Sequence, residues 1–178
     1  MISTNDSSEI SVTNTYYSYN ENNNPTKILS ETHFAADDYN DENFEEHHYF
    51  YDASNSLPVK LLLVKNKKDS TVILFSADES KNVAIEKNTA TGESYYYYYD
   101  TKSRLTDIAH KYQNQKKLTT DYIFQYNQAN QITQMTVGEE EGAYFFVWKY
   151  TYEENLRINE RCFSKERKLL GTIEYAYK

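Results

Sequence analysis

The chain is poor in the residues that usually carry chemistry or bound a fold. Its 178 residues include one cysteine, two prolines, four glycines and one tryptophan. A single cysteine excludes an internal disulfide framework and any cysteine-built zinc site. With so little glycine there is no phosphate-cradling loop, no dinucleotide fingerprint and no nucleophile elbow. The longest apolar runs, Leu61–Val64 and Phe145–Val147, are far too short to span a bilayer as a helix. Leu, Ile, Val and Phe together supply 36 residues, close to the floor of about 20% below which chains tend to stay unfolded.

What is abundant is tyrosine, with 19 copies. Each tyrosine can bury about 150–250 Å² while its hydroxyl stays hydrated, so a folded domain is expected despite the thin aliphatic content. The length fits one domain. A polar, flexible segment is expected over 1–14 and a single β domain over 15–178, its first part, 15–57, acidic. Residues 1–57 hold eleven acids against one base, Lys27, a net charge of −10. This asymmetry argues against nucleic acid, whose phosphates require clustered Lys and Arg. It suits a solvated face or a landing surface for a basic partner. The N-terminus has neither a basic nor an apolar leader region. That fits a cytoplasmic protein, or an envelope or secreted one whose leader has been removed.

The chain repeats itself. Tyr99 is followed by Asp100, by Leu105 six residues on and by Ile108 nine on. The frame recurs at Tyr126 (Asn127, Ile132, Met135), at Tyr150 (Leu156) and at Tyr51 (Asp52, Leu57). A weaker copy begins at Phe75, where Val83 arrives two positions late, and a half-copy sits at Tyr175. A further copy fits Tyr19-Asn20. Within a unit, polar and aromatic residues alternate. Tyr144, Phe146, Trp148, Tyr150 and Tyr152 fall on one face of a strand, and Phe145, Val147, Lys149 and Thr151 on the other. Period two excludes an amphipathic helix. Asp- and Asn-led segments such as Asp100–Ser103 are turns, because Asx side chains bond their own backbone. The expected fold is all-β: an antiparallel meander of six or seven hairpins, forming a curled twisted sheet or a flattened open barrel. Lys165, Arg167 and Lys168 are expected to blunt an edge.

The unit around Tyr99 resembles that of YD-repeat (Rhs-repeat) proteins, which read Tyr-Asp, two variable residues, Gly-Arg-Leu-Thr, one variable, Ile. Tyr99, Asp100, Arg104, Leu105, Thr106 and Ile108 match it, and Ser103 stands where that family has glycine. The resemblance covers roughly 45–178. Long members build shells around a cargo, for which six or seven units are too few. Short degenerate repeats of this type are similar to those of small secreted or lipid-anchored Gram-negative proteins. The resemblance therefore implies a non-catalytic binding or structural module of the bacterial cell envelope.

Catalytic and metal constellations are not expected. Glu45-Glu46-His47-His48 is the most metal-like run, but on a strand His47 and His48 point to opposite faces. Only the i, i+2 pairs Glu45 with His47 and Glu46 with His48 can meet, too few ligands for a zinc site. The stretch 37–46 lacks the glycine and glutamate of a calcium loop. Glu139–Glu141 reads as a charged hairpin tip, and Cys162 has no neighbouring histidine. No cofactor is implied. The candidate contact residues are Tyr96 and Tyr98, because the strand Tyr95–Tyr99 must show tyrosine on both faces, together with Asp37, Asp38, Asp41, Glu42, Glu45 and Glu46. The expected partner is another protein. An immunity-type role, in which the acids neutralise a basic toxin, is the alternative. A glycan stacked on exposed tyrosines is the third reading.

Overall fold

The computed structural model describes residues 2–4, 10–36, 39–52, 56–139 and 144–177. Among these the fold is all-β, with fourteen strands and no helix. The chain divides into two compact units, 1–92 and 93–178.

The first unit holds β1 (Ile2–Thr4), β2 (Ile10–Tyr19), β3 (Pro25–Ala36), β4 (Tyr39–Tyr51), β5 (Pro58–Lys65), β6 (Asp69–Ala77) and β7 (Val83–Asn88). Each strand pairs antiparallel with the next. Part of the 1–14 segment is thus strand, with Ile2–Thr4 laid against Ile10–Val12. The second unit holds β8 (Ser94–Tyr99), β9 (Leu105–Lys111), β10 (Thr119–Tyr126), β11 (Ile132–Glu139), β12 (Tyr144–Glu153), β13 (Leu156–Phe163) and β14 (Leu169–Glu174), paired in the same way. Within each unit, strands touch only their neighbours in the chain. Each unit is therefore a single-layer, open antiparallel meander, and neither closes on itself into a barrel. Burial is shallow: Leu61 and Ala109 are the buried apolar residues, and no described side chain falls below 2% exposure.

Five hairpins share one turn, at 20–24, 78–82, 100–104, 127–131 and 164–168. In the third, the Asp100 N–H donates to Arg104 O (2.9 Å) and the Ser103 N–H to Asp100 O (3.0 Å). Asp100 Oδ1 accepts from the backbone of Lys102 (2.8 Å) and Arg104 (3.0 Å). Asn20, Asp78, Asn127 and Ser164 open the other four with the same backbone pair. The fourth turn residue is left-handed in every copy: Asn23 (φ 58°), Lys81 (63°), Ser103 (57°), Asn130 (63°) and Arg167 (64°). Ser103 thus takes the conformation that glycine would supply in the resembling family. The cations expected to blunt an edge, Lys165, Arg167 and Lys168, lie in the turn that enters β14.

The register corrects three repeat anchors. The residue before each Asx turn sits at a ladder irregularity, and in the second hairpin of this type that residue is Ala77 rather than Phe75. Val83 is then six residues on, in frame. Tyr152, not Tyr150, holds the place in β12, because a two-residue left-handed turn, Glu154 (φ 47°) and Asn155 (φ 70°), shortens that hairpin. At the end of the second unit the place falls to Tyr177 rather than Tyr175.

Candidate functional site

The two faces of the second unit are built differently. One carries Tyr97, Ile108, Tyr122, Val137 and Phe146 in one cross-strand row, and Phe124, Met135, Trp148 and Cys162 in the next. This aromatic face carries the tyrosine stripes read in the sequence, half-buried for the most part, with Tyr122 and Tyr144 exposed. Glu160 lies in it with its side chain only 10% exposed. Burial pushes its carboxyl up, but the Tyr175 hydroxyl (2.6 Å) and the Arg157 guanidinium (2.8 Å) outweigh burial and hold it below the usual carboxylate range.

The opposite face carries the row Tyr98, Asp107, Ile123, Thr136, Val147 and Phe163, one residue from each strand β8 to β13. Tyr98 is 46% exposed and Ile123 38%. Tyr96 shares this face, is opposite buried Ala109, and is itself half-buried. Two adjoining hollows of about 610 and 500 Å³ open on the same face and share Gln134, Phe145 and Val147 as floor. The larger reaches Lys117, Leu118 and Ile123; the smaller reaches Lys149, Phe163, Lys165 and Arg167. The Lys149 ammonium stands 5.6 Å from the centre of the Phe163 ring.

On one side of this trough, β10 carries a bulge at Asp121, the residue between the pairs Thr120–Ala109 and Tyr122–Ile108. Its Oδ1 lies 2.6 Å from His110 Nδ1, and its other oxygen is buried without a partner. Tyr95 and Tyr112 enclose His110, with ring centres 6.0 and 4.9 Å away. Burial, aided by Glu93, pushes the Tyr95 phenol up to about 12. Burial likewise raises the Cys162 thiol, which keeps it protonated.

The acidic candidates are placed on β4, apart from Asp37 and Asp38, which lie outside the described residues. Asp41 is in the strand opposite Phe34. Glu42 pairs with His33 (3.2 Å). Glu45 meets His47 (2.6 Å) and Lys65 (3.5 Å), and Glu46 meets His48 (2.7 Å) and Lys27 (3.2 Å). The two i, i+2 pairs form on opposite faces, as the strand period requires. Hydrogen bonding to His47 and His48 respectively holds both carboxyls below their ordinary range. Among the described residues no group of three or more His, Cys, Asp or Glu could hold a metal ion, and no helix is long and apolar enough to cross a membrane.

The trough residues Phe145, Val147 and Phe163 were not singled out by sequence reasoning as a site. The available signal was the alternation in β12, which already set Phe145, Val147 and Lys149 apart from the tyrosine face.

No family model matches the chain, and no curated protein matches it. Among solved structures, a porin-like protein from Bacteroides uniformis aligns over 92% of this chain and 86% of its own length, at 12% identity and a TM-score of 0.46. A likeness of that degree carries no argument about activity.

Proposed function

We propose that this chain is a non-catalytic binding module of the bacterial cell envelope that presents exposed aromatic side chains to a partner protein. The observation that supports it most is the single-layer sheet. Its tyrosines are used twice, some with hydroxyls bonded inside the sheet, others such as Tyr98, Tyr17 and Tyr144 left 46–56% exposed. Large, rigid rings with a polar tip give contact area at little entropic cost. The envelope assignment rests on the likeness of the Tyr99 unit to short YD repeats. Glu42, Glu45 and Glu46 are engaged by cations and imidazoles of their own unit, so the aromatic surface, not the acidic one, leads this reading.

A photo-crosslinking residue placed at Tyr98 in the native host tests it. The expected result is one discrete protein adduct in the envelope fraction, absent when the crosslinker replaces Tyr97 on the opposite face. Recovery only in the cytosol, or the same adducts from both positions, would overturn the proposal.

A further inference from the structure

The trough on the face of Tyr98 has a chemistry distinct from protein docking, and we infer that it takes a single-chain amphipathic anion of the fatty-acid type. Its floor is an apolar row broken once, by Thr136 of β11. Ile123, Val147 and Phe163 lie in one row from β10 to β13, with Phe145 beside them. Three inter-strand steps make that row about 14 Å long, the reach of an extended alkyl chain. Each hollow falls within the usual small-ligand range of about 300–1,000 Å³.

At the smaller hollow the charge is of one sign. The smaller hollow is lined by Lys149, Lys165 and Arg167, and no carboxylate lines it among the described residues. Arg161 pairs with Lys149 across β12 and β13 and adds a fourth cation to that side. Among the described residues the larger hollow is lined by one base, Lys117, and one acid, Asp121, whose carboxylate is held by His110. A carboxylate head would meet the cations at the β13–β14 turn while its tail lay over Phe163, Val147 and Phe145 towards Ile123. Between Val147 and Ile123 the tail would cross Thr136 of β11, with Gln134 beside it.

The inference does not depend on the envelope reading and can fail separately from it. The test is a heteronuclear NMR titration of the full chain with laurate below its micellar concentration. Dodecyltrimethylammonium, with the same tail and opposite head, and phosphatidylglycerol vesicles serve as comparators. Laurate is expected to shift the resonances of Phe145, Val147 and Phe163 and to bind about tenfold or more tighter than the cationic amphiphile, as expected when a charge-assisted contact is gained. Lys149→Glu with Arg167→Glu is expected to weaken laurate about tenfold and leave the cationic amphiphile no weaker. Both side chains are at the surface, and Lys149→Gln with Arg167→Gln provides a milder variant should the reversal disturb folding. Equal binding of the two head groups, shifts centred on Tyr97 and Trp148, or binding to vesicles without binding to laurate would each overturn it.

Discussion

The Tyr126 hydroxyl donates to the Leu105 carbonyl at 2.7 Å, and the bond forms just where the backbone ladder between β9 and β10 has stopped. The last pair of that ladder is Ile123 with Asp107, so the tyrosine lies three residues beyond it and the acceptor two residues before it. Three other tyrosines repeat the relationship. Tyr51 bonds Pro25 O (2.8 Å) beyond the pair His48–Lys27, Tyr152 bonds Ile132 O (2.8 Å) beyond Lys149–Gln134, and Tyr177 bonds Arg157 O (2.6 Å) beyond Glu174–Asn159. In these four repeats the tyrosine thus fastens its hairpin to the one before. A single-layer sheet with little burial needs such ties.

Removing one hydroxyl should therefore cost about 1 kcal/mol, the net worth of a hydrogen bond, with the ring contacts kept. Tyr126→Phe and Tyr152→Phe are each expected to lower the urea midpoint with an unchanged slope. Tyr122→Phe, whose hydroxyl makes no such bond and whose ring is 37% exposed, should be neutral. Equal effects at Tyr122 and Tyr126 would show that the clasp contributes nothing.

The left-handed turn positions give an effect of the opposite sign. L-residues there carry a steric cost of about 1–2 kcal/mol that glycine avoids, partly offset by the greater freedom of glycine in the unfolded chain. Ser103→Gly and Lys81→Gly should stabilise by about 0.5–1 kcal/mol. Asn130→Gly should gain less, because asparagine tolerates this conformation. Thermal unfolding of the three variants ranks them directly, and a larger gain at Asn130 than at Lys81 would contradict the steric account.

The strands, their faces and the Asx turns were legible in the sequence because side-chain alternation and turn chemistry are local. Tyr144 to Tyr152 could be placed on one face from period two alone. The anchor at Phe75 could not, since the irregularity between Ser76 and Ala77 is a property of the pairing between β6 and β7. The same holds for the trough. Ile123, Val147 and Phe163 come from three strands, and the stagger that brings them into one row with Tyr98 is set by inter-strand register. The engagement of Glu45 and Glu46 was half visible: the histidine partners follow from i, i+2 spacing, whereas Lys65 and Lys27 arrive from neighbouring strands.

Gly138 on β11 is a position where the sheet has no room. A Cβ there would stand 2.4 Å from the Thr120 carbonyl oxygen, a backbone atom beside the Asp121 bulge. Neither partner can swing away freely, because Thr120 is held in the β9–β10 ladder opposite Ala109 and Gly138 in the β11–β12 ladder opposite Phe145. Gly138→Ala is expected to destabilise by about 1–3 kcal/mol, the usual cost of forcing an extra carbon into a filled site. At Gly171 on β14 nothing lies within 4 Å of the added atom, so Gly171→Ala should be close to neutral. Denaturant melts of both variants decide the matter, and parity between them would show that the bulge yields freely.

The buried carboxylate of Glu160 should make the second unit sensitive to acid. The Tyr175 hydroxyl and Arg157 favour its charged form over burial, so its folded pKa lies below the unfolded value of about 4.3. A group with a depressed pKa stabilises the fold above its unfolded pKa, and the contribution is lost as pH falls through the folded value. Glu160→Gln is expected to cost about 1–3 kcal/mol at pH 7, because the Arg157 guanidinium, stacked 4.4 Å over the Tyr150 ring, loses its counter-charge. That penalty should hold steady down to about pH 5 and shrink below about pH 4, where the native carboxyl also takes up its proton. Urea melts of the native chain and the variant across this range supply the comparison. A penalty that stayed constant to the lowest pH at which the chain remains folded would mean that the ionised state of Glu160 gives the fold nothing.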